Sequence, residues 1–108
     1  MYKMTIEKNG KKKNIKLRHN RTLKAKYLSP TNYRGSRIKI TDCRHLESII
    51  ISYDYSLNGV KEIALSDLIK KGIKVNSFSY DEKSHEYIFN TYDFKTSIKG
   101  ELIWIKSN

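Results

Sequence analysis

Only one stretch of this chain repeats its apolar residues at helical spacing, and that limits the fold more than any other feature. From Asn58 onward, Val60, Ile63, Ala64, Leu65, Leu68 and Ile69 recur three and four residues apart, with Lys61, Glu62, Ser66, Asp67, Lys70 and Lys71 between them. The periodicity predicts a helix over Asn58–Lys71. Ser56 or Asn58 is placed to cap its start, Lys70-Lys71 complement the C-terminal dipole, and Gly72 can take the left-handed conformation that stops it. The other apolar residues fall mostly into short period-two stretches. Leu23, Ala25 and Tyr27 alternate with Thr22, Lys24 and Lys26, and Ile38 and Ile40 alternate with Arg37, Lys39 and Thr41. Glu47–Tyr53 is β-branched enough for a more buried strand, and Ile73–Tyr80, Glu86–Tyr92 and Ser97–Ile105 read as three more. The order is β-β-β-α-β-β-β. It predicts an α+β fold: a curved, mainly antiparallel sheet whose apolar face, with Ile38, Ile40, Ile49 and Ile51, takes the helix.

The chain has 108 residues, which suits one domain. Leu, Ile, Val and Phe number 27, a larger share than the roughly one fifth that marks disordered sequences, so a packed core is expected. The single Cys43 excludes an intramolecular disulfide and points to a reducing compartment. The longest apolar run, Ile49-Ile50-Ile51, is far short of a membrane span, and the N-terminus lacks the apolar region of a signal peptide. A cytoplasmic protein without a membrane partner is the expectation. Its glycines are dispersed singly rather than in a phosphate-binding fingerprint, and neither C-x-x-C nor H-E-x-x-H occurs, so no metal or other cofactor is expected.

Charge is distributed unevenly. The net charge is +11, yet residues 1–44 carry 14 of the 22 basic residues against only Glu7 and Asp42, so the excess is entirely N-terminal. Such a field can steer a polyanion onto one face. Residues 1–21 read as a basic arm or a hairpin closed at Asn9-Gly10, and 22–108 as a single α+β domain. The run Lys11-Lys12-Lys13 fits a phosphate-binding arm, a protected strand edge or a solubilising charge equally well.

Two groups of residues are candidate sites. The first is the loop Pro30–Arg37. There Asn32 and Gly35 could turn backbone N–H groups into an anion-holding concavity, and Arg34 and Arg37 could add guanidinium contacts to a phosphate. The alternative is that Pro, Asn and Gly only make the turn, with Arg34 covering it or pairing with Asp42 or Asp54. The second is a strand face. If the two alternating strands pair with apolar sides aligned, Lys24, Lys26, Arg37 and Lys39 share the opposite face, with Tyr33 available to stack on an unpaired base. Cys43-Arg44-His45 has neither a second Cys nor zinc-ligand spacing, which leaves Cys43 as an inert small side chain. Asp54, Asp81, Glu82 and Asp93 sit in or beside loops, where capping turns is the simpler role than acid–base chemistry.

The run Lys24-Ala25-Lys26-Tyr27-Leu28-Ser29-Pro30-Thr31-Asn32-Tyr33-Arg34-Gly35-Ser36-Arg37-Ile38-Lys39 resembles a family of small uncharacterised bacterial proteins associated with phages and other mobile elements. Tyr53-Asp54-Tyr55, Leu57-Asn58 and the aromatics Tyr87, Phe89, Tyr92 and Phe94 extend the likeness over roughly residues 22–94. The resemblance implies a mobile-element origin and a small α+β domain, and no enzymatic activity. The expected function is non-catalytic binding of nucleic acid, DNA or RNA, through the basic strand face and the loop. The alternative is a counter-defence factor docking on an acidic protein or a nucleoprotein complex. A homodimer formed through open sheet edges is compatible with either.

Overall fold

Alternating residues form strands wherever turn formers bound them. The computed structural model describes residues 2–17 and 19–100. Strand β1 (Tyr2–Lys8) pairs antiparallel with β2 (Lys11–Leu17), from Tyr2 opposite Leu17 to Lys8 opposite Lys11. Asn9 and Gly10 close this hairpin with φ of 55° and 75°. A two-residue turn needs both angles positive to match the strand twist, which is why Asn-Gly stands there.

The remaining strands are β3 (Arg21–Leu28), β4 (Arg37–Asp42), β5 (Glu47–Ser52), β6 (Ser77–Asp81) and β7 (Glu86–Thr91). They form one antiparallel five-stranded sheet in the order β5-β4-β3-β7-β6. Helix α1 (Val60–Lys70) lies between β5 at one edge and β6 at the other, so the chain crosses the sheet through it. The architecture is α+β, with one helix on an open, curved sheet.

The core lies between α1 and one face of that sheet. Leu23 and Ala25 of β3, Ile38 and Ile40 of β4, and Phe89 of β7 meet Ile63, Ala64 and Leu68 of α1, all of them buried. Ile73 and Ile98 complete this cluster, and Ile49 and Ile51 pack against it half-buried. Ile50, between them, is 51% exposed, as strict alternation requires.

The C-terminus of α1 ends as expected. Gly72 adopts φ +86° and donates to the Ile69 carbonyl at 3.0 Å, while Ile73 donates to the Leu68 carbonyl at 3.0 Å. This is a Schellman motif, closed by the buried Leu68 and Ile73 side chains. The N-terminus differs from expectation, because neither Ser56 nor Asn58 caps α1. Gly59 holds that position without a side-chain hydrogen bond, and the Glu62 carboxylate reaches back to accept from the Asn58 amide at 3.0 Å. Ser56 is occupied with Asp54, which accepts from its amide and its hydroxyl.

Two strand expectations are corrected. The strand expected from Ile73 begins only at Ser77, because Ile73 closes the Schellman motif and the Lys74 carbonyl accepts from the Thr91 hydroxyl. The strand expected over Ser97–Ile105 does not form in its described part. Gly100 donates to the Ser97 carbonyl at 2.9 Å, and the Ser97 hydroxyl accepts from the Lys99 amide at 3.0 Å, which makes a turn. Residues 101–105 lie outside the described residues.

Adjacent helix positions test this packing. Leu68→Asp places a carboxylate in the core and is expected to abolish the cooperative thermal transition, whereas Ile69→Asp, at a position 60% exposed, should keep one within about 1 kcal/mol of the parent. Near-identical melts for the two variants would contradict the helix orientation.

Candidate nucleic-acid interface

The sheet face away from α1 carries the predicted basic residues. Pairing of β3 with β4 sets Lys24 opposite Thr41, Lys26 opposite Lys39, and Leu28 opposite Arg37. Because side chains alternate, Lys24, Lys26, Arg37 and Lys39 share this face. Lys26 and Lys39 are exposed, and Lys24 and Arg37 half-buried. Among the described residues none of the four makes an ion pair. Beyond β3 the sign reverses. Glu86 of β7 stands opposite Lys26, and Asp81 of β6 opposite Glu86, so one row across the sheet reads Ile50, Lys39, Lys26, Glu86, Asp81. The Asp81 carboxyl is held below its ordinary value first by the Lys83 amide, then by Ser84, and more weakly by the charge of Lys24.

The loop after β3 presents side chains rather than backbone. Thr31 organises it: its hydroxyl accepts from the amides of Tyr33 at 3.3 Å and Arg34 at 3.1 Å, and its own amide donates to the Arg34 carbonyl at 2.7 Å. Neither Asn32 nor Gly35 has a positive φ. The anion-holding concavity expected there is therefore not formed, because a hydroxyl within the loop already takes two of its amides. What the loop exposes is Asn32, Tyr33, Arg34 and Gly35, with Tyr33 96% exposed. Arg34 pairs with neither Asp42 nor Asp54, which are engaged elsewhere. Arg37 donates through Nε to the Gly35 carbonyl at 3.2 Å, tying the end of the loop to the basic face.

Sequence reasoning missed a tyrosine cluster beside this loop. Tyr27 at the end of β3 hydrogen-bonds Ser36 at 2.7 Å and meets Tyr53 edge-on at 5.9 Å. Tyr53 donates its amide to the Ser36 carbonyl and packs against Tyr55 at 4.8 Å. Tyr55 is 78% exposed. The Tyr53-Asp54-Tyr55 spacing was the available signal, but only the fold brings it beside residues 27 and 36.

The lysine run lies elsewhere. Lys11 and Lys12 are exposed on β2, and Lys13 occupies a paired position opposite Ile6, its side chain outside the described ones. The hairpin and the five-stranded sheet share no strand pairing.

A second missed feature, at the opposite end of β3 and β4, holds the basic face in place. Arg21 and Asp42 are both fully buried. Arg21 donates from Nη2 and Nε to Asp42 Oδ2 at 2.6 and 3.1 Å, and from Nη1 to the carbonyls of Thr96 and Asp93 at 2.6 and 3.1 Å. Asp42 also accepts from His45 Nδ1 at 2.8 Å and from the amides of Arg44 and His45. Burial acts to raise the Asp42 carboxyl. Hydrogen bonds from Arg21 and His45, with the Arg21 charge, outweigh it and hold the group below its ordinary value. Arg21, assigned to the arm from its charge, is thus the first residue of β3 and part of the interior. Cys43, expected as a small inert residue, is exposed in the turn that Asp42 organises.

No family model matches the chain, and no curated protein or solved structure does either.

Removing one partner of the buried pair strands the other. Asp42→Asn or Arg21→Met is expected to cost about 3–5 kcal/mol in urea denaturation, while the double change Arg21→Met/Asp42→Leu should recover much of that loss. The pH dependence has a definite sign. Since folding lowers the Asp42 carboxyl, its stabilisation is complete above the ordinary value of 3.8 and fades as pH falls through the lower folded value. Asp93 is lowered too and contributes in the same direction. Denaturation from about pH 5 to pH 2 should therefore show falling stability, with a shallower slope in Asp42→Asn.

Proposed function

We propose that this chain is a small non-catalytic nucleic-acid-binding protein of phage or mobile-element origin, acting through the open face of β3 and β4. The observation that carries the reading is the strip of Lys24, Lys26, Lys39 and Arg37, which has no ion-pair partner among the described residues. Like charges directly opposed across strands weaken a sheet, so the Lys26–Lys39 pair is not explained by stability. Phosphates laid along the strip supply countercharge on its β4 side, away from Glu86 and Asp81. Arg34 extends the strip into the loop, and Lys11–Lys13 widen the basic footprint. Asp54, Asp81 and Asp93 accept from turn amides, which suits a binding role better than acid–base chemistry. The origin is supported by the resemblance carried by residues 24–39.

Fluorescence anisotropy with nuclease-treated protein and labelled single-stranded DNA, RNA and duplex DNA tests the reading. Engaging about five phosphates gives log–log salt slopes near −3.5 for single strands or −4.5 for duplex between about 50 and 200 mM salt. Replacing Lys24, Lys26, Arg37 and Lys39 with Gln should flatten the slope and remove most of the affinity. Absence of binding to every oligonucleotide at the lower salt overturns the reading and turns the same face toward an acidic protein surface.

A further inference from the structure

We infer that two copies of this chain pair edge to edge through β5, so that their cation strips join into one basic face across the two-fold axis. The dimer goes beyond the nucleic-acid reading, and the use of the joint face rests on it. β5 is one of the two open edges of the sheet, with β4 as its single neighbour. The core is unfinished there. Ile38 and Ile40 of β4 are fully buried, whereas their partners Ile51 and Ile49 on the same face stay half-buried, and Ile50 on the other face is 51% exposed. Soluble proteins blunt such edges with lysine, proline or a bulge. The stretch Ser48–Ser52 has none of these: it carries no charge and no proline, and it pairs with β4 without interruption.

The backbone fixes which groups this edge offers. Tyr53 donates its amide to the Ser36 carbonyl, so in the β4–β5 ladder residues 47, 49, 51 and 53 bond inward to β4, while Ser48, Ile50 and Ser52 turn their N–H and C=O groups outward. A two-fold contact demands a self-complementary surface. The sequence Ser48-Ile49-Ile50-Ile51-Ser52 reads the same in both directions, which meets that demand for an antiparallel pairing centred on Ile50. Ile50 then faces Ile50 of the second copy, Ser48 faces its Ser52, and Ile49 faces its Ile51. The outward groups exchange about six backbone hydrogen bonds. Glu47 falls opposite Tyr53 of the second copy, so no like charges meet. The other open edge is less suited: β6 reads Ser77-Phe78-Ser79-Tyr80-Asp81, which is not the same in both directions, and it ends on a charge beside Glu86.

This pairing changes what the open face presents. Its axis stands perpendicular to the sheet, so both helices lie on one side and both strips on the other. The row Asp81, Glu86, Lys26, Lys39, Ile50 continues from the axis in reverse order through the second copy. Lys26 and Lys39 of both chains thus flank the isoleucine pair within a span of roughly 24 Å, and the carboxylates move to the two outer rims. In the adjacent row, Arg37 and Ser52 meet Ser48 and Thr41 of the second copy, with its Lys24 beyond them. No acidic residue interrupts either row between the two strips. A nucleic acid laid across the axis is held by both chains at once, which strengthens contacts that are weak singly.

Analytical ultracentrifugation of the nuclease-treated full chain tests the dimer without nucleic acid, over about 1 to 500 μM, the range suited to a small interface. The parent should pass from monomer to dimer. Ile50→Lys puts a charge on the exposed edge without touching the core, and should stay monomeric while keeping a cooperative melt. In a Cys43→Ser background, Ile50→Cys should crosslink to its counterpart under mild oxidation, since directly opposed residues stand roughly 5.5 Å apart, whereas Ser79→Cys, in the middle of β6, should not. A parent monomeric throughout, a dimer that survives Ile50→Lys, or crosslinking through residue 79 in place of residue 50 overturns the dimer. Anisotropy with labelled single-stranded and duplex DNA long enough to cross both strips tests the joint face. Ile50→Lys, although one cation richer, should bind about 10-fold more weakly than the parent. Parental affinity in that variant overturns the joint face. Failure of the parent to bind any oligonucleotide removes the nucleic-acid reading instead, and the ultracentrifugation still decides the dimer.

Discussion

The Arg21–Asp42 pair ties β3 to β4 in the register that keeps one face of the sheet basic. It joins the first residue of β3 to the last of β4 inside the protein, with the Asp93–Thr96 segment closing over the guanidinium. A buried ion pair contributes little net stability, since desolvation offsets much of its attraction, but a misplaced one is costly. Slipping either strand by one residue turns its alternating set to the other face, bringing lysines to the core and stranding one member of the pair. The Ile38/Ile40 side and the Lys39/Arg37 side are therefore fixed by the same contact. Everything attributed to the open face, from the cation strip to the acidic flank, follows from that register.

Much of this was legible in the residues, and the parts that were not have a common cause. Period-two alternation in 22–27 and 37–41 places Lys24, Lys26, Arg37 and Lys39 together because a strand with one buried face leaves no other arrangement. The α1 stripe and its Gly72 stop were equally plain. Arg21 and Asp42 were opaque, because two charges twenty-one positions apart look no different from any other two until the fold buries them. The tyrosine rim was hidden for the same reason: Tyr27, Tyr53 and Tyr55 come from the end of β3 and the segment after β5, and sequence distance conceals their contact. The loop misled in a different way. Asn32 and Gly35 invite positive φ, but the Thr31 hydroxyl satisfies the amides with ordinary backbone angles.

The open face also carries an internal tension. Lys26 has Lys39 on one side and Glu86 on the other, so its repulsion and attraction lie on the same row. Mixing the signs would have made the sheet more stable, whereas separating them gives the face a direction. The core on the other side, from Leu23 to Phe89, carries the burial that lets the open face tolerate this.

Arg21 has one more consequence, because it also marks where the hairpin is tethered. Residues 18–20 separate Leu17 from Arg21, so the base of the β1–β2 hairpin stays within roughly 14 Å of a residue locked in the interior. Lys11 and Lys12 stand at the far, turn end of that hairpin, roughly 20 Å of strand beyond Leu17, so the tether bounds their reach rather than placing them beside the strip. In the proposed role, a phosphate touched by Lys11 or Lys12 is captured by a chain already bound through β3 and β4.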